Sequence, residues 1–321
     1  MAEDMRSHLP LSRSAHDRRA ELRNNPAAID ALWQHEETRV LLLHDGRTLM
    51  RENSIVSVPV ADVPEGATTL FLGTSTAAGG NHAADVTFFA SILSDEQDAE
   101  RFATATGSRW GDLRVSAPDL SELEIGLFAQ ALGLANWHDS HRYAPQSGAA
   151  VAAADAGWVL RDADAQHSVF PRTDAAIIVA VYDADDRILL GNNAMWDAKR
   201  FSLLAGYVEP GESLENAVIR EVFEESGLTV TNPRYLGSQP WPFPASLMLG
   251  FEARLADGVN PDDISPDGEE ILHLRWFTRA ELLAALDDEI LMPGRSAIAR
   301  YIIENWLGEK MDQPDSWRDK R

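Results

Sequence analysis

A chain of 321 residues, 45% hydrophobic and 25% charged, is long enough for two domains and apolar enough to bury sizeable cores. Its 51 aspartates and glutamates outnumber 28 lysines and arginines, and the formal net charge of −23 repels phosphate backbones at long range, which counts against broad nucleic-acid binding. With no cysteine there is no structural disulfide, no thiolate catalysis and no Cys-ligated zinc; with no apolar leader and no run long enough for a bilayer, a cytoplasmic enzyme without membrane attachment is expected.

Residues 1–135 carry short apolar runs at 40–43, 70–73 and 86–93, parted by Gly-, Asp- and Pro-containing turns, and predict a mixed α/β domain. A helix is predicted over 121–134, where Ser121 can cap and Leu123, Ile125, Leu127, Phe128, Ala131 and Leu132 fall at mostly helical spacing. Nothing in this part resembles a catalytic motif, and no fixed-period repeat stands out. Residues 136–170 are rich in Ala, Asp and small side chains and read as a short connector, not as a core-forming domain. Across 171–321 the pattern changes. The apolar run at 175–181, the turn signal Asp183-Ala184-Asp185-Asp186 and the run at 188–190 predict strand, turn and strand. Further strands are predicted at 201–205, 246–255 and 273–277. The last leads into Thr278-Arg279-Ala280-Glu281, a capping-box sequence, and a final helix over about 297–307 places Ile298, Ile302, Ile303 and Trp306 for burial.

The chemistry concentrates in residues 206–228, GYVEPGESLENAVIREVFEESGL. Pro210 and Gly211 hold off a helix until Ser213, a favoured N-cap, with Glu215 in the positive first turn; Gly227 ends the helix where a positive φ is commonly needed. Between them Glu221, Glu224 and Glu225 stand at i, i+3 and i+4 and fan over one side, while Val218, Ile219, Val222 and Phe223 lie largely on the other and can anchor the helix to a sheet. Each adjacent like-charge pair costs an isolated helix roughly a few tenths of a kcal/mol. A hard divalent cation such as Mg²⁺ or Mn²⁺ would relieve this, because carboxylate oxygens suit it. A solvated acidic face would need no cation.

The spacing decides between the two. Gly206, Glu212 and the run Arg220-Glu221-Val222-Phe223-Glu224-Glu225-Ser226-Gly227-Leu228 resemble the full box of the Nudix hydrolases. The resemblance implies an α/β/α sandwich carrying the box as loop, helix and loop on its sheet, and a pyrophosphate bond as the target. It matches Glu221, Glu224 and Glu225 to metal-binding carboxylates, the carbonyl of Ala205 to a further ligand, and Glu212 with Arg220 to a structural ion pair.

Beyond the box, Ser238-Gln239-Pro240-Trp241-Pro242-Phe243-Pro244-Ala245-Ser246 reads by itself as a stiff extended segment. It resembles the SQPWPFPxS array of the NADH pyrophosphatase branch of the Nudix superfamily. That resemblance implies that Gln239, Pro240, Trp241, Pro242, Phe243, Pro244, Ala245 and Ser246 line a dinucleotide pocket. It also implies that Tyr207 and Phe170 stack on a base, Phe170 from the partner of a homodimer, and that Ala299 contacts substrate. Glu270 matches the remote carboxylate that completes the metal site, with Glu269 the alternative if the alignment shifts by one.

The branch carries a four-cysteine zinc ribbon before its FPRTD segment. Here those positions are Ala144, Ser147, Asp162 and Ala165, so no zinc is expected, although His138, His141 and His167 lie nearby. The implied fold is α/β: a C-terminal Nudix α/β/α sandwich over 171–321, an N-terminal mixed α/β domain over 1–135, and a vestigial ribbon-like connector over 136–170. The implied reaction is Mg²⁺- or Mn²⁺-dependent hydrolysis of NADH, and of NAD⁺, to NMN(H) and AMP. Glu225 is the group most essential to it, as ligand or as water-orienting base. Removal of NAD caps from RNA 5′ ends needs the same groups and stays open as an alternative, against which the acidic charge weighs. A non-catalytic NAD(H)-binding sensor would be expected to have lost carboxylates that this chain retains.

Overall fold

The computed structural model describes residues 9–164 and 166–313, so Ala165, one of the positions matched to ribbon cysteines, lies outside the described residues. Two compact units emerge: an N-terminal one, Leu11–Thr173 with Trp241–Ala245, and a C-terminal one, Asp174–Pro240 with the described residues from Ser246 onward and with Leu9 and Pro10. No helix among the described residues is long and apolar enough to cross a membrane.

The N-terminal unit runs β1 (His16–Asp17), α1 (Pro26–Trp33), β2 (Arg39–His44), β3 (Arg47–Arg51), β4 (Ser54–Ile55), β5 (Ser57–Pro59), β6 (Thr68–Ser75), β7 (Thr87–Ile92), α2 (Glu96–Thr106), β8 (Arg109–Gly111), α3 (Leu113–Ser116) and α4 (Glu122–Ser140). The strands form one mixed sheet in the order β1-β6-β7-β2-β3-β4, with β5 on β2 and β8 on β3; β2 and β7 are parallel. Side-chain alternation along β2 builds a core on each face. Leu41 and Leu43 join Phe88, Phe128 and Trp137, whereas Val40 and Leu42 join Phe89 and Phe102. At the start of α4 the Ser121 hydroxyl accepts the Glu124 N–H, and the Glu124 carboxylate accepts the Ser121 N–H at 3.0 Å, a closed capping box. The helix runs past the predicted end at 134 to Ser140, because Leu134 and Trp137 prolong its apolar stripe.

Residues 136–170 do more than connect. β9 (Val151–Ala154), β10 (Val159–Asp162) and β11 (Ser168–Val169) form a small antiparallel sheet, and Leu160 is buried in the same cluster as Phe128. Trp158 donates its indole N–H to the Phe71 carbonyl at 2.8 Å. The Asp162 carboxylate, at a position matched to a ribbon cysteine, accepts the N–H of Gln166 at 2.9 Å and of His167 at 3.2 Å, and meets the His167 ring at 2.8 Å. The bond to that ring, followed by the backbone donors, holds the Asp162 carboxyl below the usual range. A carboxylate gathering local donors thus ties the end of β10 to Gln166 and His167.

The C-terminal unit runs β12 (Asp174–Tyr182), β13 (Ile188–Asn193), β14 (Leu204–Tyr207), α5 (Leu214–Ser226), β15 (Val230–Trp241), β16 (Ser246–Leu255), β17 (Ile271–Phe277), α6 (Arg279–Ala285) and α7 (Ile298–Leu307). Its sheet has the order β15-β16-β12-β13-β17 with β14 on β12, and β12 and β16 are parallel. The central strand again alternates. Ile178 and Ala180 pack with Ile298 and Ile302 of α7, and Ile177, Val179 and Val181 with Val218 and Val222 of α5. This is an α/β/α sandwich. The strand expected at 201–205 begins later, at Leu204, because Ser202 is engaged in an isolated bridge with Gly191 before the chain meets β12 at the Val179–Leu204 pair. Thr278 and Glu281 close the expected capping box at α6.

One pairing scheme occurs twice, which no fixed sequence period betrays. The order β6-β7-β2-β3-β8, with β5 on β2, repeats as β15-β16-β12-β13-β17 with β14 on β12, and each copy has the same central parallel pair. The copies differ at one crossing. Between β5 and β6 the only helical piece is a single 3-10 turn, Val60–Asp62, whereas α5 lies between β14 and β15. The N-terminal unit is therefore this sheet without the carboxylate helix.

Candidate active site

Helix α5 starts where its sequence says. The Ser213 hydroxyl accepts the Asn216 N–H at 3.2 Å, and Gly227, at φ 71°, donates to the Phe223 carbonyl at 2.8 Å. Viewed down the axis, Val218, Val222 and Glu225 fall within about 60° of one another, and all three are buried. Phe223, about 140° from Val218, is 58% exposed. The expected division of the helix is corrected accordingly: Glu225 shares the core-facing side and Phe223 faces solvent. Glu224 is also largely exposed, with Glu221 between the two extremes.

Arg220 organises the polar side of the helix. Its guanidinium donates to both Glu212 oxygens at 2.8 Å, to Glu221 at 2.8 Å, to Glu224 at 3.0 Å and to the Tyr207 carbonyl at 3.0 Å. The Glu209 N–H adds a bond to Glu212 at 3.1 Å. The Arg220 bonds, then this backbone donor, depress the Glu212 carboxyl to about 2. The expected Glu212–Arg220 pair is thus present, and it reaches further than the box spacing indicates, because the fork also captures a backbone carbonyl and two of the three helix carboxylates. Gly206 lets the helix approach β14 this closely: a Cβ there would sit 2.0 Å from the Glu221 carboxyl carbon.

Glu225 is only 4% exposed, and its Oε2 is buried without a hydrogen-bond partner among the described residues. Burial, then the charges of Glu270, Glu221 and Asp267, push its carboxyl up to about 9 against a bond from the Ala205 backbone. Burial also raises Glu221, opposed by Arg220 and helped by Glu224 and Glu270. Ala205, Glu221 and Glu270 thus all act on the Glu225 carboxyl. Asp267, which sequence reasoning passed over, holds the Glu270 backbone: one carboxylate oxygen accepts the N–H of Glu269, Glu270 and Ile271 at 2.6, 2.8 and 3.1 Å. The Asp-Gly turn at 267–268 was the available signal.

An all-oxygen set of carboxylates with one orphaned buried oxygen fits a hard divalent cation, which would satisfy a group that is costly to bury alone. Among the described residues, the group whose three ligand atoms already lie within 4.8 Å of one another is elsewhere, at His44, Asp45 and Glu96. There His44 is satisfied by the Leu93 carbonyl at 3.1 Å and Glu96 at 3.0 Å. Among the described residues the α5 carboxylates do not form such a group; Arg220 holds Glu221 and Glu224.

The aromatic-proline array divides between the units. In the C-terminal unit Gln239 is fully buried and donates to the Ser296 carbonyl at 3.0 Å. Ser246 is buried with its hydroxyl 3.2 Å from the phenol of the half-exposed Tyr207, and Ala299 lies in the core cluster of α7. Pro240 is exposed. In the N-terminal unit Trp241 and Phe243 pack edge to face, 4.9 Å apart, with the Arg114 guanidinium over both rings. Asn136 donates to the Pro242 and Pro244 carbonyls at 2.9 and 3.1 Å. Pro244 and Ala245 border a cavity of about 290 Å³ with Trp137, His141 and Arg172. Phe170 is 65% exposed.

A family profile described as NUDIX domain matches residues 171–296, and one described as NADH pyrophosphatase-like rudimentary NUDIX domain matches residues 37–137. The NAD-capped RNA hydrolase NudC of Mycobacterium bovis is 38% identical over 317 residues, covering 94% of this chain and 96% of that protein. The protein of the same name in Stutzerimonas stutzeri is 36% identical over 215 residues, covering 66% of this chain and 73% of that one. The NAD-capped RNA hydrolase NUDT12 of Macaca fascicularis is 36% identical over 201 residues, covering 59% and 43%. The chain belongs to the Nudix hydrolases, in the NADH pyrophosphatase-like branch, without the cysteines of that branch's zinc ribbon.

Proposed function

We propose that this hydrolase cuts the pyrophosphate of an NAD unit. Free NADH or NAD⁺ would give NMN(H) and AMP, and an NAD-capped RNA would give NMN and a 5′-monophosphate RNA. The observation that carries this reading is the buried, unpartnered Glu225 oxygen set against Glu221, Glu270 and β14. Glu221, Glu224, Glu225, Glu270 and the Ala205 carbonyl would hold Mg²⁺ or Mn²⁺. A divalent cation there would clamp the diphosphate oxygens and favour attack by water on phosphorus. The water oxygen bonds to one phosphorus, the bridging oxygen leaves on the other phosphate, and a proton passes to a carboxylate. Glu225 would orient that water or accept that proton. Arg220 keeps Glu221 and Glu224 in register on the helix. The dinucleotide-binding roles of residues 239–246, Tyr207, Phe170 and Ala299 belong to the same proposal, as does a homodimer, for which light scattering should give twice the 35.3 kDa of the chain. A monomeric mass would remove the dimer from the proposal.

Two observations pull the substrate in opposite directions. The relatives carry names for action on capped RNA. The net charge of −23 favours the small dinucleotide. The deciding experiment incubates the protein with NADH, NAD⁺, ADP-ribose or NAD-capped RNA in Mg²⁺ or Mn²⁺, with and without EDTA, and separates the products by chromatography. NMN(H) should form from the NAD substrates and EDTA should abolish it. If NADH and capped RNA both stayed intact with either metal, the substrate would be wrong. A capped-RNA rate insensitive to salt would exclude a surface that grips the RNA backbone.

A further inference from the structure

We infer that Asn193 is a positioning residue that aims the Glu270 carboxylate into the metal site, an inference that rests on the role proposed above for Glu270. Glu270 is the exception in its site. Glu221 and Glu224 are held by Arg220 and Glu225 by burial, but Glu270 is exposed, in the loop just before β17. A long exposed side chain needs something to select one rotamer.

The backbone on both sides of that carboxylate is pinned. Asp267 accepts the Glu270 N–H at 2.8 Å, and the Glu270 carbonyl accepts the Ala194 N–H at 2.8 Å. The carboxylate itself receives Asn193 Nδ2 at 3.2 Å. Asn193 is oriented for this by its own turn, since its Oδ1 accepts the Met195 N–H at 2.9 Å and the amide nitrogen is left to face Glu270. The sheet supplies the approach. The β13–β17 ladder pairs Asn192 with His273 and then Asn193 with Ile271, so Leu272 is an extra residue where the strands end. Such bulges turn side chains toward new partners at the ends of sheets. A neutral amide is well suited to this position, because it steers the carboxylate without neutralising it and leaves its charge for a cation, as outer partners of metal ligands do.

The test is Mn²⁺ binding to the full chain without substrate, with free Mn²⁺ followed by electron paramagnetic resonance. Asn193→Ala should raise the Mn²⁺ Kd by roughly tenfold, within the range for loss of a ligand's supporting bond. Met195→Ala, 89% exposed in the same loop, should not change it. Glu270→Gln should also weaken binding, and adding Asn193→Ala to it should change the Kd by less than about twofold, because aiming a neutral amide in place of the carboxylate adds little cation affinity. An unchanged Kd in Asn193→Ala beside a weakened Glu270→Gln would overturn the inference alone. So would a tenfold loss from Asn193→Ala that persisted on the Glu270→Gln background, since that signals general damage to the loop. A normal Kd in Glu270→Gln would remove Glu270 from the metal site, and this inference with it.

Discussion

Glu225→Gln should reduce kcat on NADH by about 10²–10⁴-fold at saturating metal, the range associated with loss of a positioned proton-transfer group, and leave the melting temperature nearly unchanged. Two features of the site lead to this outcome. The glutamine is isosteric, and the carboxyl it replaces is buried and pushed up to about 9, so the metal-free fold carries no Glu225 charge near neutral pH that substitution could remove. What disappears is the capacity to become a carboxylate next to the diphosphate. Steady-state kinetics with a thermal melt would separate the effects. Near-normal turnover would refute the assignment of Glu225, and a collapsed melt would mean that the residue serves the fold instead.

Arg220→Ala should lower the melting temperature by about a few degrees, since several charge-assisted hydrogen bonds are lost and the partly exposed Glu212 and Glu221 lose their partner, and should lower kcat/KM at least about tenfold as Glu221 and Glu224 lose register. Arg220→Lys should recover little, because an ammonium cannot replace the fork that reaches Glu212, Glu221, Glu224 and the Tyr207 carbonyl together. The effect has a defined pH dependence. Glu212 falls from the ordinary 4.5 to about 2 on folding, so its contribution is complete above pH 4.5 and is lost as pH falls toward 2. The stability gap between the native chain and the variant should be constant around neutral pH and close over that acid interval. Urea unfolding across a pH series measures it, and equal stability at neutral pH would refute the structural role of Arg220.

Helix α5 illustrates how far local reading carries. Its limits follow from Ser213 and Gly227, and the oxygen donors follow from the box, because caps and spacing involve residues within a few positions of each other. The burial of Phe223 and Glu225 does not follow from residue type. Hydrophobicity assigns the phenylalanine to the core, but helical geometry puts Glu225 about 20° from Val218 and Phe223 about 140° away. The glutamate is therefore buried and the ring exposed.

Elements that are local in cause are legible from the chain alone: the cap at Ser121, the capping box at Thr278, strand β16, helix α7, the carboxylate helix and the loss of every thiolate ligand. Features that depend on distant partners appear only in the folded molecule. These are the late start of β14, the burial of Leu160 in the N-terminal core, the single sheet plan used twice, and the bond from Asn193 to Glu270 across 77 positions. Parallel pairing such as β2 with β7, or β12 with β16, joins segments separated by a whole crossover. Neither residue composition nor periodicity within one segment carries that information, so depth, charge coupling and side-chain aim at the site emerge only when the sheet closes around it.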